Sequence, residues 1–153
     1  VVKVDYPDVQ TDRMLVDAMT TRMVLDPKSL DTIVATNLHA DILSDLAAAL
    51  SGSMGIAPTA NLRPEKDFPS MFEPIHGSAF DIMGQGIANP IGAFWSASMM
   101  LEDLGEYPAA ARLIAAIERV TAAGRVMPRD LGGEATTRQV TDAVIEALRS
   151  AND

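Results

Sequence analysis

The residues that follow Pro90 form the segment that most restricts what this chain can fold into. From residue 91 to residue 104 nearly every side of a helix would be apolar, with Phe94, Trp95 and Met99 among the large side chains. Proline is well tolerated at the start of a helix, so Pro90 marks the beginning of this one. A helix that is apolar all round belongs in a buried core. The sequence therefore predicts a globular fold with residues 91–104 inside it.

Proline and glycine divide the rest of the chain into short elements. Further helices are predicted at residues 16–25, 38–50 and 107–123, and from Thr136, which has capping-box spacing to Gln139. Short apolar runs predict strands at residues 9–15, 32–35 and 70–75, and loops are expected at residues 57–70 and 76–89. The predicted fold class is α/β, helix-rich with a few strands.

The composition excludes several classes of protein. Of 153 residues, 48% are hydrophobic and 22% charged, as in ordinary globular domains. Lys and Arg number 12 against 21 Asp and Glu, and a net charge of -9 disfavours nucleic-acid binding, which needs a basic face. No apolar stretch is long enough to span a membrane. Without cysteine there is no disulfide. We expect neither a nucleic-acid nor a membrane partner, and a cytoplasmic location.

Asp41 and Asp45 lie one turn apart in the predicted helix of residues 38–50. At this spacing both carboxylates share one helix face, where like charges repel. A divalent cation between them would convert the repulsion into coordination by hard oxygen ligands, which suits Mg²⁺ or Mn²⁺. Alternatively both acids are solvated near a helix N-terminus, where the helix dipole favours them. The spacing leaves both interpretations open.

A second candidate site lies in the predicted loop of residues 76–89. Its small residues would let the backbone approach a ligand closely. Asp81 could accept hydrogen bonds from a ribose diol, and its charge would repel a 2′-phosphate. Residues 84–89 come near the dinucleotide-binding glycine fingerprint, but they lack its third glycine and follow no strand directly, so a Rossmann assignment is rejected. An ordinary glycine-rich loop is the alternative.

Nucleophilic and zinc chemistry find little support in the sequence. His39 and His76 are the only histidines, which excludes a three-histidine zinc site. Ser53 or Ser78 could formally join His76 and an aspartate in a triad, but the chain has no nucleophile-elbow motif. A hydrolase is therefore disfavoured.

Three strings along the chain closely resemble the β-decarboxylating dehydrogenases. They are Asp41-Ile-Leu-Ser-Asp45, Gly52-Ser-Met-Gly55 and Glu73-Pro-Ile-His-Gly-Ser-Ala79, in the order and spacing of that family. The family includes isopropylmalate, isocitrate, D-malate and tartrate dehydrogenases, and the likeness extends over residues 5–148. The strings around residues 35–40, 57–61, 68–73 and 78–81 look most similar to the tartrate and D-malate branch.

The resemblance implies the C-terminal portion of an isopropylmalate dehydrogenase-like fold. Residues 1–55 would be the end of the dimerising, metal-binding domain, and residues 56–153 the later half of the nucleotide-binding domain. Family members are considerably longer, so their general acid/base Lys and Tyr would lie upstream of Val1. We therefore assign no catalytic residue within the chain and expect it to have no turnover alone.

The resemblance also implies a metal site shared across a homodimer. Asp41 and Asp45 would bind Mg²⁺ or Mn²⁺ in one subunit, and Asp17 would reach the metal of the neighbouring subunit. The helices at residues 16–25 and 38–50 would form the interface between the subunits. Their apolar faces would lie in that interface, through Met19, Met23, Leu43, Leu46 and Leu50.

A dinucleotide-binding segment is implied as well. It comprises Glu73, His76, Gly77, Ser78, Ala79, Asp81, Ile82 and Asn89. An aspartate at the place of Asp81 goes with NAD rather than NADP. The implied activity is the NAD- and metal-dependent oxidation, with or without decarboxylation, of a 2-hydroxy acid such as tartrate or D-malate. The alternatives are a 3-isopropylmalate dehydrogenase or, for the isolated chain, a non-catalytic dimerisation module.

Overall fold

Six α-helices and one pair of β-strands form the part of the chain that the computed structural model describes, residues 1–150. By its internal contacts the chain divides into two units, Val1–Ala47 and Ala48–Asp153. The first unit contains α1 (Val2–Asp5), α2 (Val16–Leu25) and most of α3 (Asn37–Leu50). The assignment of residues 1–55 and 56–153 to two domains stays a prediction.

The helices α2 and α3 begin and end close to where the sequence predicts them. Asp26, ahead of Pro27, ends α2, because the residue before a proline avoids the helical region. The sequence predicts the start of α3 at residue 38, and the helix begins one residue earlier, at Asn37. Met23 in α2 and Leu43 in α3 are both 5% exposed, so each helix has an apolar side that is covered within the chain.

The prediction of strands at residues 9–15 and 32–35 is wrong. Neither segment forms a strand, and both are largely exposed, with Val34 at 94%. A strand needs a neighbour to complete its backbone hydrogen bonds, and neither segment is paired within the described sheet. A short apolar run gives no information about that neighbour, which is why the prediction failed.

The second unit contains a short antiparallel sheet of β1 (Pro58–Asn61) and β2 (Met71–Pro74). Pro58 lies opposite Pro74, and Asn61 lies opposite Met71. The predicted strand at residues 70–75 is confirmed, whereas β1 lies where a loop was expected. Pro58 is the first residue of its strand, one of the places where a sheet tolerates the missing N–H.

Three helices complete the second unit, and the sheet packs against the first of them. They are α4 (Ile91–Asp103), α5 (Tyr107–Ala123) and α6 (Thr137–Arg149). The predicted capping box between Thr136 and Gln139 is present. The core joins all three helices through the buried residues Ile91, Ala116, Ile117, Val120, Val140 and Val144. The predicted helix-rich α/β class with a few strands is confirmed.

The helix α4 is less completely buried than its sequence predicts. Ile91 is buried at its start, but Trp95 and Met100 are 38% and 40% exposed. The sheet and α5 pack against α4, and they leave part of its circumference open in the described structure. Pro90 precedes α4 as its N-cap. Among residues 1–150 no helix combines the length and apolar character needed to span a bilayer.

Candidate functional site

A pocket of about 420 Å³ in the second unit is the best candidate for a ligand site. Segments distant in sequence meet around it: the turn at residues 53–55, the segment at 76–82, the loop at 87–89, and Arg129 with Asp130. Its apolar wall consists of Met54, Ala79, Ile82, Ile87 and Ala88, and its polar groups belong to Ser53, His76, Asn89, Arg129 and Asp130. Pockets that are mostly apolar with a few polar groups are typical of nucleotide and small-molecule sites.

The predicted cofactor residues are divided between the pocket wall and its surroundings. His76, Ala79, Ile82 and Asn89 line the pocket. Gly77, Ser78 and Asp81 are exposed in the same segment, and Glu73 is exposed on β2. The structure thus gathers part of the predicted set around one concave surface.

The backbone turns sharply at Ala79. This residue has φ 44° and ψ 55°, a left-handed conformation that is uncommon for a residue with a Cβ. It precedes a 3₁₀ turn at Phe80–Ile82, and both Ala79 and Ile82 line the pocket. Backbone strain of this kind is often found at ligand-binding segments.

Asp81 is exposed, and its carboxylate has no hydrogen bond or ion pair within residues 1–150. Only its backbone carbonyl is engaged, by Gln85 Nε2 at 2.8 Å. Both carboxylate oxygens therefore remain able to accept hydrogen bonds from a ligand, as a ribose diol would require.

Asn89 connects the pocket to the start of α4. Its Oδ1 accepts a hydrogen bond from the N–H of Ile91 at 3.0 Å, and its Nδ2 donates to Asp130 Oδ2 at 2.9 Å. The first bond satisfies a helix N–H that would otherwise lack a partner. A ligand can therefore use only the second lone pair or the second amide proton of Asn89.

The sequence pattern does not indicate Asp130 or Arg129, and it suggests Ser53 only as a formal nucleophile. In the structure the hydroxyl of Ser53 donates to Asp130 Oδ2, and the N–H of Gly55 donates to Ser53 Oγ at 2.9 Å. Ser53 and Asp130 are 77 residues apart, so no local pattern connects them. Their pairing depends on how the second unit folds.

Two glycines are required by close packing beside the pocket. A Cβ on Gly55 would clash with Asp130 Oδ2 and lie 3.0 Å from Asn89 Cβ. A Cβ on Gly92, in the first turn of α4, would lie 3.0 Å from the carbonyl oxygen of Gly55. The turn at Gly55 therefore packs directly on the start of α4, without room for a side chain.

The three predicted metal ligands lie in the first unit. Asp41 and Asp45 are exposed one turn apart on α3, and Asp17 is exposed in the first turn of α2. No Lys or Arg pairs with Asp41 or Asp45 in the described residues. Among the residues that the structure describes, only the neighbouring N–H of Ala18 donates to Asp17 Oδ1, at 2.8 Å.

The donor set at Asp41 and Asp45 fits a hard divalent cation but is incomplete. Carboxylate oxygens are preferred ligands of Mg²⁺ and Mn²⁺. Within residues 1–150, however, no three His, Asp or Glu side chains are grouped so that they could hold a metal ion. A cation bound by these two acids needs further ligands from water, substrate or another chain.

The predicted interface residues are only partly available on the surface. Met23 and Leu43 are buried within the chain, so they are not the surface that a partner would meet. The large apolar residues of α3 that remain exposed are Leu38, Ile42 and Leu50. If a second copy binds here, it would contact these side chains.

Comparisons with known proteins place the chain in a family. The family model "Isocitrate/isopropylmalate dehydrogenase" matches residues 1–144. A probable tartrate dehydrogenase/decarboxylase TtuC′ of Agrobacterium vitis is 68% identical over 151 residues, which cover 99% of this chain and 42% of that protein. The D-malate dehydrogenase [decarboxylating] of Escherichia coli is 48% identical over 149 residues, which cover 94% of this chain and 41% of that protein.

A solved structure supports the same relationship. The crystal structure of isocitrate dehydrogenase from Methylococcus capsulatus superposes with a TM-score of 0.90 at 41% identity, covering 97% of this chain and 43% of that one. The chain thus spans about two fifths of the length of the curated relatives it matches. The predicted isopropylmalate dehydrogenase-like fold is confirmed, and the chain belongs to the isocitrate/isopropylmalate dehydrogenase family.

Proposed function

We propose that this chain is the cofactor- and metal-binding part of an oxidoreductase that oxidises a 2-hydroxy acid with NAD and a divalent cation. The observation that carries the proposal is the pocket in the second unit. Its wall contains His76, Ala79, Ile82 and Asn89, which the family resemblance assigns to the dinucleotide. A volume of about 420 Å³ is enough for a nucleoside portion of the cofactor.

The apolar wall of the pocket and the free carboxylate of Asp81 would bind different parts of the cofactor. Ile82 and Ile87 would cover a flat base, while Asp81, next to Ile82 in the chain, would accept hydrogen bonds from the ribose hydroxyls. A 2′-phosphate would bring negative charge towards the carboxylate and be repelled. This favours NAD over NADP. The hydride chemistry itself belongs to the cofactor.

In the first unit, Asp41 and Asp45 would hold Mg²⁺ or Mn²⁺ on the exposed face of α3. When bound, such a cation supplies Lewis-acid polarisation of the hydroxyl and keto oxygens of the substrate. The two acids have no basic partner in residues 1–150 that would compete with a cation. Asp17 of a second copy is the proposed additional ligand, with Leu38 and Ile42 of α3 in the contact between the copies.

Tartrate or D-malate is the substrate class that the relatives favour. The relative at 68% identity is named a probable tartrate dehydrogenase/decarboxylase, and that at 48% is named a D-malate dehydrogenase. The isocitrate dehydrogenase structure is 41% identical. A 3-isopropylmalate dehydrogenase is the second candidate, supported by the family model alone.

No residue of this chain is assigned to proton transfer. Asp41 and Asp45 are proposed to bind the metal, and Asp81 is proposed to accept hydrogen bonds from the ribose. We therefore do not propose any of these three carboxylates as the general base. The relatives are more than twice as long, and the base is expected in the part that this chain does not cover. The 153-residue chain supplied with NAD⁺, Mn²⁺ and tartrate or D-malate should form no NADH, and NADH formation would contradict this part of the proposal.

Calorimetric titration of the chain with Mn²⁺ tests the metal site. Asp45→Asn should weaken Mn²⁺ binding by about tenfold or more, because an amide oxygen carries no charge and is a poorer ligand. Asp31→Asn is the matched control, since Asp31 is an exposed acid of the same unit. Equal Mn²⁺ affinity in both variants would remove Asp45 from the site and leave a non-catalytic dimerisation module as the better description.

A further inference from the structure

One oxygen of Asp130 joins two walls of the pocket. Asp130 Oδ2 accepts a hydrogen bond from Asn89 Nδ2 at 2.9 Å and a second from the hydroxyl of Ser53. Asn89 precedes α4, and Ser53 begins the turn that places Met54 and Gly55 at the pocket. Segments separated by 41 and 77 residues thus share a single acceptor.

The packing around this oxygen is tight. Gly55 has no space for a Cβ, because that atom would clash with Asp130 Oδ2. The N–H of Gly55 is in turn held by Ser53 Oγ, at 2.9 Å. Ser53 is 8% exposed, so its hydroxyl has little access to water if the carboxylate is removed. A buried hydroxyl without a partner is costly, and the turn would move to recover one.

The orientation of the Asn89 amide depends on the same carboxylate. With Nδ2 directed to Asp130, Oδ1 is directed to the N–H of Ile91 at 3.0 Å. Without the acceptor at Asp130 the Asn89 amide would be free to rotate, and the polar edge of the pocket would no longer be fixed. Ordering these groups would then have to occur on ligand binding, which lowers affinity.

We propose that Asp130 is a positioning residue. Its carboxylate fixes the Asn89 amide and the turn at residues 53–55, and so pre-forms the pocket for a nucleotide. The inference rests on the proposed function only for the identity of the ligand. Asp130 acts here as a hydrogen-bond acceptor, so an uncharged acceptor of similar size should replace it.

The test uses three variants of the 153-residue chain, with NAD⁺ as the probe. Asp130→Ala removes the acceptor, whereas Asp130→Asn keeps an oxygen with two lone pairs. Asp142→Ala is the control, because Asp142 is an exposed acid on α6 outside this pocket. Binding is followed by the shifts of the Ala79, Ile82 and Ile87 amide resonances in NMR spectra, and hydrogen exchange of the Asn89 Nδ2 and Gly55 amides reports the state of the pocket.

Asp130→Ala should weaken NAD⁺ binding by about tenfold and accelerate exchange at Asn89 and Gly55. The NAD⁺ affinities of Asp130→Asn and Asp142→Ala should both stay within about twofold of that of the parent chain. Ser53→Ala removes one of the two donors to Asp130 and should give an intermediate loss of NAD⁺ affinity. If Asp130→Ala does not fold, Ser53→Ala is measured in its place.

Two results would overturn the inference. One is Asp130→Asn binding NAD⁺ as weakly as Asp130→Ala, since the charge and not the acceptor would then matter. The other is unchanged exchange at Asn89 and Gly55 in Asp130→Ala. Absence of NAD⁺ shifts in the parent chain counts against the proposed function, while the exchange rates still decide whether Asp130 positions these groups.

Discussion

Thr137, the first residue of α6, holds Ala88 of the pocket wall through its side chain. Its Oγ1 donates to the carbonyl oxygen of Ala88 at 2.6 Å, and its N–H donates to that of Gly86 at 2.8 Å. A helix start therefore anchors the loop that carries Ile87 and Asn89. The loop has no regular structure of its own, so its shape depends on this attachment.

Thr137→Val should loosen this loop. Valine has the shape of threonine without the hydroxyl, so the bond to Ala88 is lost while the N–H bond to Gly86 remains. We expect a loss of about 1 kcal/mol in the free energy of unfolding, measured with urea, and faster hydrogen exchange of the residue 137 N–H, whose bond to Gly86 belongs to the same loop attachment.

Thr141→Val is the matched control for that change. The hydroxyl of Thr141 donates to the carbonyl of Thr137 at 2.8 Å, within the same helix, and so connects no separate segments. It should leave the exchange of the Thr137 N–H unaltered. Equal effects of the two variants would show that the bond to Ala88 does not hold the loop.

Gly55→Ala should destabilise the second unit by about 1–3 kcal/mol, because the new methyl group overlaps Asp130 Oδ2 and lies 3.0 Å from Asn89 Cβ. Urea unfolding measures the loss. Gly77→Ala is the control for stability, since a Cβ there meets no atom within 4 Å. If both substitutions lower the free energy of unfolding equally, close packing is not the reason why glycine is needed at residue 55.

The loop between β1 and β2 should respond to pH through Asp67. Arg63 donates to both carboxylate oxygens, at 2.6 and 3.1 Å, and this hydrogen bonding lowers the pKa of Asp67 below its ordinary value. Because the folded-state pKa is depressed, the contribution of the pair is present above the unfolded-state pKa and is lost as the pH falls through the folded-state value.

An NMR titration of the Asp67 carboxyl checks this prediction. Arg63→Gln should raise the titration midpoint towards the ordinary aspartate value, and about 1 M salt should do so in part, since both side chains are exposed. A midpoint that neither change moves would mean that Arg63 is not the cause of the lowered pKa.

The helices were predictable because their signals are local. Asp26-Pro27 ends α2, and Thr136 with Gln139 opens α6, each within four residues of the chain. Strands depend on partners, which a single run of residues does not reveal. The apolar run at residues 32–35 therefore suggested a strand that does not exist, while the prolines at and after Pro58 hid one that does.

The candidate site shows the same difference between local and non-local information. The family resemblance assigns His76, Ala79, Ile82 and Asn89 within one segment of the chain, residues 73–89, and these four line one pocket. Asp130 was missed because its role arises from contacts across 41 and 77 residues. For Asp41 and Asp45 the shared helix face follows from their spacing, but no local pattern indicates which groups would complete the proposed cation site.

The free carboxylate of Asp81 leads to a prediction about cofactor preference. Asp81→Lys removes the carboxylate that is proposed to accept hydrogen bonds from the ribose hydroxyls, and it replaces a charge that would repel a 2′-phosphate by one that would attract it. The ratio of NAD⁺ to NADP⁺ affinity should fall by about tenfold or more. Competitive binding of the two nucleotides to the chain measures it. Glu118→Lys, an equal change of charge at an exposed position of α5 outside the pocket, should leave the ratio as it is. If both variants leave it unaltered, Asp81 does not contact the ribose, and its proposed part in cofactor selection is contradicted.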